Sequence, residues 1–171
     1  MPLTTPSSDF LNGLKDFLGP QGWRAPEDTP EKFEEPRGKW KGLGAMVLRP
    51  ETTEEVAEII SRAAAERVAV IPHSGGTGLV GGQVTVSGPP PVLLSVERLN
   101  RIRDVDPTDN VLIAEAGVIL ADIQSAADEA DRLFPLSLAS EGSCRIGGNL
   151  ATNAGGVQVL RYGNARDLCL G

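Results

Sequence analysis

The stretch VIPHSGGTGLVGGQ, Val70 to Gln83, limits the fold more than any other part of the chain. An apolar run that reads as a strand meets residues 75–82, which hold five glycines. Backbone that bare serves positive φ angles or the close approach of another group. Gly76-x-Gly78-x-x-Gly81 matches the dinucleotide fingerprint letter for letter, and Glu97 follows about 20 residues on, where a ribose-binding acid belongs. That fingerprint works only when the loop opens a helix whose N-terminus meets the pyrophosphate. Here QVTVSGPPP follows Gly82: Val84, Thr85 and Val86 favour strand, and Gly88-Pro89-Pro90-Pro91 forbids a crossover helix. A nicotinamide dehydrogenase with a Rossmann loop is therefore disfavoured. A Walker A loop lacks its Gly-Lys-Ser/Thr. Consecutive glycine N–H groups can still form a concave anion nest without any basic side chain. A plain glycine-rich turn is the bland alternative, but five glycines around apolar Leu79-Val80 exceed what a turn needs.

Around this loop the sequence reads as α+β. Leu11, Leu14, Phe17 and Leu18 predict a helix over about 8–18. The Pro- and Glu-rich segment up to residue 37 reads as an extension wrapping the surface. Ala45–Leu48 is a short strand. Thr52 starts a helix with Glu55 at the capping-box position, and Val56, Ile59, Ile60, Ala63 and Ala64 form its apolar face. Val68–Ile71 is the next strand, so strand, helix and strand form a βαβ unit with parallel strands. Val92–Ser95 is a third, buried strand. Arg101–Val105 and Val111–Glu115 pair as a hairpin around Asp106-Pro107-Thr108-Asp109-Asn110. Ile119, Ile123, Ala127 and Ala130 mark a second amphipathic helix. Asp167-Leu168-Cys169-Leu170-Gly171 looks like the start of a strand. The expected domains are an extension (1–37), a first α/β subdomain with a small mixed sheet (38–136), and the opening of a second subdomain (137–171).

Charge and cysteine content exclude some functions. The net charge is −7 with no Lys/Arg cluster, which argues against nucleic acid as a partner. No apolar run approaches the ~20 residues of a membrane helix. MPLTTPSSDF lacks the charged and apolar regions of a signal peptide. Cys144 and Cys169 form no metal or redox spacing, and with a single histidine, His73, a His-rich metal site cannot be built. A cytoplasmic location is the default expectation.

A second glycine-rich block, Glu141 to Gly156, reads EGSCRIGGNLATNAGG. It mixes glycines with Ser, Thr and Asn, neutral donors and acceptors suited to the polar edge of a flat heteroaromatic ring. The alternative is a loop that satisfies its own backbone through those side chains. Taken together, the two blocks, LRPETTEEVAEII before them and LRYGNARDLCLG after, make the chain resemble the FAD-linked oxidase family, flavoproteins of the vanillyl-alcohol oxidase type with a PCMH-type FAD-binding fold. PHSGGTGLVGG and EGSCRIGGNLATNAGGVQVLRYG look most like D-2-hydroxyglutarate dehydrogenases and their D-lactate and glycolate oxidising relatives. The likeness covers roughly residues 38–171.

The resemblance implies that the first loop wraps the FAD pyrophosphate through Pro72, His73, Ser74, Gly75, Gly76, Thr77, Gly78, Leu79, Gly81 and Gly82. It implies that the second block lines the flavin and ribityl part through Gly142, Ser143, Gly147, Gly148, Asn149, Ala151, Thr152, Asn153 and Gly155. Some relatives attach flavin covalently through a His that aligns with Thr77, which cannot form that bond, so the FAD is expected to be non-covalent. His73 occupies the usual position of an Arg or Gln and is expected to be a hydrogen-bonding residue near phosphate, not a catalytic base.

Relatives are far longer and carry a substrate domain holding the substrate arginines, the catalytic base and a metal site, so no catalytic or metal residue is assigned on this chain. The fold is expected to be incomplete, with weak or absent FAD binding, no turnover, and disorder or self-association at 140–171. The parent activity implied is FAD-dependent oxidation of a D-2-hydroxy acid to the 2-oxo acid, with a separate electron acceptor. A non-catalytic FAD-binding or interaction fragment is the alternative.

Overall fold

The computed structural model describes residues 2–171, which divide into two compact units, one ending at Arg98 and the other spanning Leu99–Gly171. The first unit is built on a four-stranded sheet. Its strands are β1 (Trp23–Arg24), β2 (Met46–Leu48), β3 (Val70–His73) and β4 (Val92–Ser95), in the order β1-β2-β4-β3. β2, β4 and β3 are mutually parallel, and β1 runs antiparallel at one edge. The expected βαβ unit is present, but β4 inserts between its two strands. All four residues of β4 are buried, as a central strand covered on both faces requires. β3 includes Pro72, which has no N–H to donate and so belongs on an edge strand.

Two helices cover one face. α1 (Ser8–Leu18) is capped by Ser7, whose hydroxyl accepts the Phe10 N–H at 3.1 Å. α2 (Thr53–Ala65) is capped by Thr52, which accepts the Glu55 N–H at 3.1 Å. The Glu55 carboxylate reaches one residue further back than a capping box predicts and accepts the Glu51 N–H at 2.6 Å. Phe10 and Leu14 of α1 and Ile59 and Ala63 of α2 pack on Met46, Leu48, Val92 and Leu94.

The opposite face, carrying Val47 and Leu93, is covered by Phe33 from the turn Pro30–Phe33. The N-terminal segment therefore supplies core on both sides of the sheet, where the sequence suggested a surface wrap. Its irregular backbone hid this: a 3₁₀ turn carries no periodicity to read.

In the second unit, β5 (Ile102–Asp106) and β6 (Val111–Ala114) form the expected antiparallel hairpin. Asp106 Oδ1 accepts the N–H groups of Thr108 and Asp109 in the turn. At its open end, Glu115 takes Arg101 and Arg103 at 2.9 and 3.0 Å. The Arg101 hydrogen bonds, with help from Arg103, hold its carboxyl at about 2. α3 (Leu120–Glu129) follows, then α4 (Ile146–Ala151) and α5 (Val159–Tyr162), around a core of Leu120, Leu136, Cys144 and Ala165.

Residues 140–171 carry α4 and α5. The end is not a strand. Ala165–Leu168 is a 3₁₀ turn started by a capping box between Asn164 and Asp167. That pairing satisfies the N–H groups locally; Leu168 ends the turn and Leu170 lies exposed beyond it.

Phe33→Ala tests whether the N-terminal segment is core. Removing that ring is expected to cost about 3 kcal/mol of unfolding free energy in a denaturant titration. A loss below about 0.5 kcal/mol, the range of a surface change, would place the segment outside the core.

Candidate cofactor site

The first glycine block lies wholly in the first unit. β3 stops at His73, which pairs with Ser95 and accepts the Val96 N–H at 3.0 Å. Residues 74–91 then join two parallel strands with no helix and no strand of their own. The chain after Gly82 is irregular, neither the strand that Val84, Thr85 and Val86 suggested nor the helix that a Rossmann loop requires. Thr85 instead gives its carbonyl to the Leu43 N–H at 2.6 Å.

Side chains hold the loop open from within. The Gln83 amide donates to the carbonyls of Gly76 (3.3 Å) and Gly78 (3.0 Å). Gly76 and Gly81 have φ of 67° and 73°, a region L-residues resist. A Cβ on Gly81 would stand 3.1 Å from the Trp40 ring, and one on Gly76 would stand 3.2 Å from His73 Nε2. Among the described residues, the N–H groups of Gly76, Thr77, Gly78 and Leu79 meet no protein acceptor. With carbonyls pinned inward and N–H groups left over, the loop offers a row of donors of the kind that can take an anion.

His73 lies against this loop. Its ring is buried, and Nδ1 has no hydrogen-bond partner. Burial and then the Lys32 ammonium push its pKa down to about 4, against weaker pulls from Glu97, the Ser74 backbone and Glu31. The imidazole is neutral at pH 7. Glu97, the acid a Rossmann site would give to a ribose, is engaged elsewhere: it pairs with Lys32 at 2.7 Å and with Arg49. Burial raises its pKa, but Lys32 and then Arg49 outweigh this and hold the carboxyl at about 2.

The second block lies wholly in the second unit. It is laid against the chain before and into α3: Ile146 and Gly147 donate to the carbonyls of Val118 and Ala116, and Leu120 and Ala121 donate to those of Cys144 and Glu141. Gly147 allows this approach, since a Cβ there would be 2.8 Å from Ala116.

Several of the expected ring-binding side chains turn out to serve the protein itself. Ser143 Oγ donates to the Ser140 carbonyl and Thr152 Oγ1 to the Gly148 carbonyl. Asn153, at φ 49°, accepts the Arg166 N–H with its side chain. Asn149 differs. It is buried, and its Oδ1 accepts from nothing in the protein. A buried acceptor without a donor is costly and calls for an N–H or O–H from outside. No Cβ contact would arise at Gly142, so space is open there, and Ala151 and Gly155 complete the block.

Sequence reasoning missed the supports. Lys32, Trp40 and Arg49 lie far from the loop in sequence and carry no motif. Arg166, whose guanidinium donates to the Leu150 and Ala151 carbonyls at 2.8 and 2.7 Å, caps the end of α4. Gln83 was findable, as the one amide immediately after the last glycine pair.

Residues 44–171 match the family described as FAD binding domain, and the chain belongs to that family. Among curated proteins it is 41% identical over 133 residues to D-2-hydroxyglutarate dehydrogenase, mitochondrial, of Arabidopsis thaliana, covering 78% of this chain and 23% of the relative. It is 40% identical over 146 residues to the Bos taurus mitochondrial enzyme of that name, covering 83% and 26%. It is 42% identical over 133 residues to D-2-hydroxyglutarate dehydrogenase of Xanthomonas citri pv. viticola, covering 78% and 28%. The chain thus spans less than a third of the length of these relatives.

Among solved structures, alkyldihydroxyacetonephosphate synthase superposes with a TM-score of 0.86 at 23% identity, over 99% of this chain and 32% of that one. The grass-pollen protein Phl p 4.0202, a glucose dehydrogenase, gives 0.78 at 18% identity, over 92% and 34%. These likenesses establish the fold, the PCMH-type architecture of mixed helices and strands that the two glycine blocks implied.

The cytoplasmic expectation is overturned, since the plant and animal relatives are mitochondrial by name. It rested only on missing features, and a missing signal peptide or cysteine pattern does not specify a compartment. Among the described residues no helix is long and apolar enough to cross a membrane.

The loop geometry predicts a contrast between two glycines. Gly76→Ala places a Cβ against His73 at a positive φ and is expected to cost about 1–2 kcal/mol of stability. Gly82→Ala meets nothing within 4 Å and is expected to stay within about 0.5 kcal/mol of the parent. Equal denaturation midpoints for the two variants would contradict the loop conformation described.

Proposed function

We propose that this chain is the FAD-binding part of a flavoprotein that oxidises a D-2-hydroxy acid of the hydroxyglutarate class to the 2-oxo acid. The observation that carries the reading is the nest at 76–79: a row of N–H groups without acceptors, held open by Gln83 and two positive-φ glycines. The diphosphate of FAD is an acceptor-only anion and fits that row. The second block fits the donor-bearing flavin end, because Asn149 Oδ1 needs a donor and the flavin imide or a ribityl hydroxyl provides one. The relatives' names supply the substrate class.

Bound FAD supplies the two-electron acceptor for the substrate's α-hydrogen. This chain's own residues bind and orient it. The loop N–H groups take the diphosphate charge. Gly147 and Arg166 fix α4, so that Asn149 presents its oxygen at a set place. Thr77 has no ring nitrogen to bond to flavin, so the cofactor is held non-covalently. Leu160 and Val157, apolar and largely exposed, favour self-association of the isolated chain.

Two measurements test the reading. Acid precipitation of the flavin-loaded chain should leave all flavin in the supernatant, and flavin retained in the pellet would contradict the non-covalent role of Thr77. In the full-length protein, anaerobic D-2-hydroxyglutarate should bleach the flavin's visible band faster than D-lactate or glycolate. A flavin that none of the three acids reduces would overturn the assignment.

A further inference from the structure

We propose that His73 is the counter-charge of the glycine loop: a phosphate-bearing ligand on the loop's N–H groups is held by a His73 imidazolium that forms as the ligand binds. The inference rests on the FAD reading above and adds a proton to it. Residues 70–91 contain no Lys or Arg, and His73 is their only titratable side chain. An anion in this loop has no other side-chain charge within the segment to meet it.

The geometry brings the ring to the loop. A Cβ on Gly76 would stand 3.2 Å from Nε2 and 3.3 Å from Cε1. Nε2 and Cε1 are thus the ring atoms that face the loop, while the unpartnered Nδ1 lies beyond 4 Å of that position. The ring is only 6% exposed, which leaves water little part in satisfying that nitrogen.

The charged groups that act on the ring come from two places. Lys32 and Glu31 lie on the turn Pro30–Phe33, and Glu97, which also holds Arg49, follows β4. Lys32 and Arg49 are both engaged by Glu97, and neither is free to turn to a new anion without losing a salt bridge. In the ligand-free chain, burial and Lys32 keep the ring neutral, with a pKa near about 4. A diphosphate beside the ring favours the charged form, as any near anion does.

The proton comes from solvent: one imidazole and one solvent proton give one imidazolium, and no bond to the ligand forms. The sign of the linkage follows. The free pKa lies near about 4 and the bound pKa above it. Between those two values, binding takes up a proton. Affinity is full below the free value and falls as pH rises through the bound one.

The chain's single histidine makes the test direct, because ¹⁵N-histidine labelling gives one pair of ring signals and needs no assignment. Without ligand, the ring should be neutral at pH 6 and titrate near pH 4, as its surroundings dictate. With saturating FAD it should be charged at about pH 6, and with riboflavin, which lacks phosphate, it should stay neutral. Calorimetry in two buffers of different ionisation heat should show proton uptake with FAD. His73→Gln should abolish that uptake and weaken FAD binding about a hundredfold at pH below the free value, the fold-change that a rise of about two pKa units carries. A ring that stays neutral with FAD bound, or becomes charged with riboflavin, overturns the inference and leaves the FAD reading standing. Failure of FAD to bind at all overturns both.

Discussion

The parallel pairing of β3 with β4 is the constraint from which the glycine loop follows. Parallel neighbours need a crossover, and a helix normally makes it. Here the crossover is residues 74–91, which the glycines and the run Gly88-Pro89-Pro90-Pro91 keep from becoming helical. The loop starts at the carboxyl end of β3, the end of a parallel sheet where ligands are usually bound. Because His73 is locked in register against Ser95, the residues that follow begin from a fixed point. Glycine then provides the φ angles, and Gln83 turns two carbonyls inward so that the N–H groups remain.

The N-terminal segment completes this arrangement. Phe33 covers the sheet face made by Val47 and Leu93, and the same turn places Lys32 on Glu97. That salt bridge is half-buried and joined by Arg49, so it anchors the chain just past β4. Trp40 then backs Gly81. Residues far apart in sequence thus set the electrostatics around His73 and the shape of the loop. The second block uses a different device, a short helix fixed at its start by Gly147 on Ala116 and at its end by the Arg166 guanidinium.

Local features of the sequence were read well, and features that depend on distant partners were not. The Thr52 cap and the apolar spacing of α1 and α2 located both helices, because those signals act within a few residues. The hairpin was legible from its Asp-Pro-Thr-Asp-Asn turn. Strand order was not, since nothing in Val92–Ser95 says that it will enter between β2 and β3. The strand at 68–71 slid to Val70–His73, because Val68 was needed in the core below α2 while Pro72 and His73 were tolerated at an edge. In the cofactor blocks the glycines were legible as a backbone requirement. Which polar side chains are free was not: Thr152 and Asn153 looked as available as Asn149 until their internal bonds were seen.

The central proposal is that the loop of the first unit takes the FAD diphosphate on N–H groups that the protein leaves unpaired. Amide hydrogen exchange with and without FAD tests it most directly. The account predicts slower exchange at Gly76, Thr77, Gly78 and Leu79, whose N–H groups have no acceptor in the protein, and slower exchange in the segment around Asn149. Exchange at residues 76–79 that FAD leaves unchanged, while FAD is demonstrably bound, would contradict it.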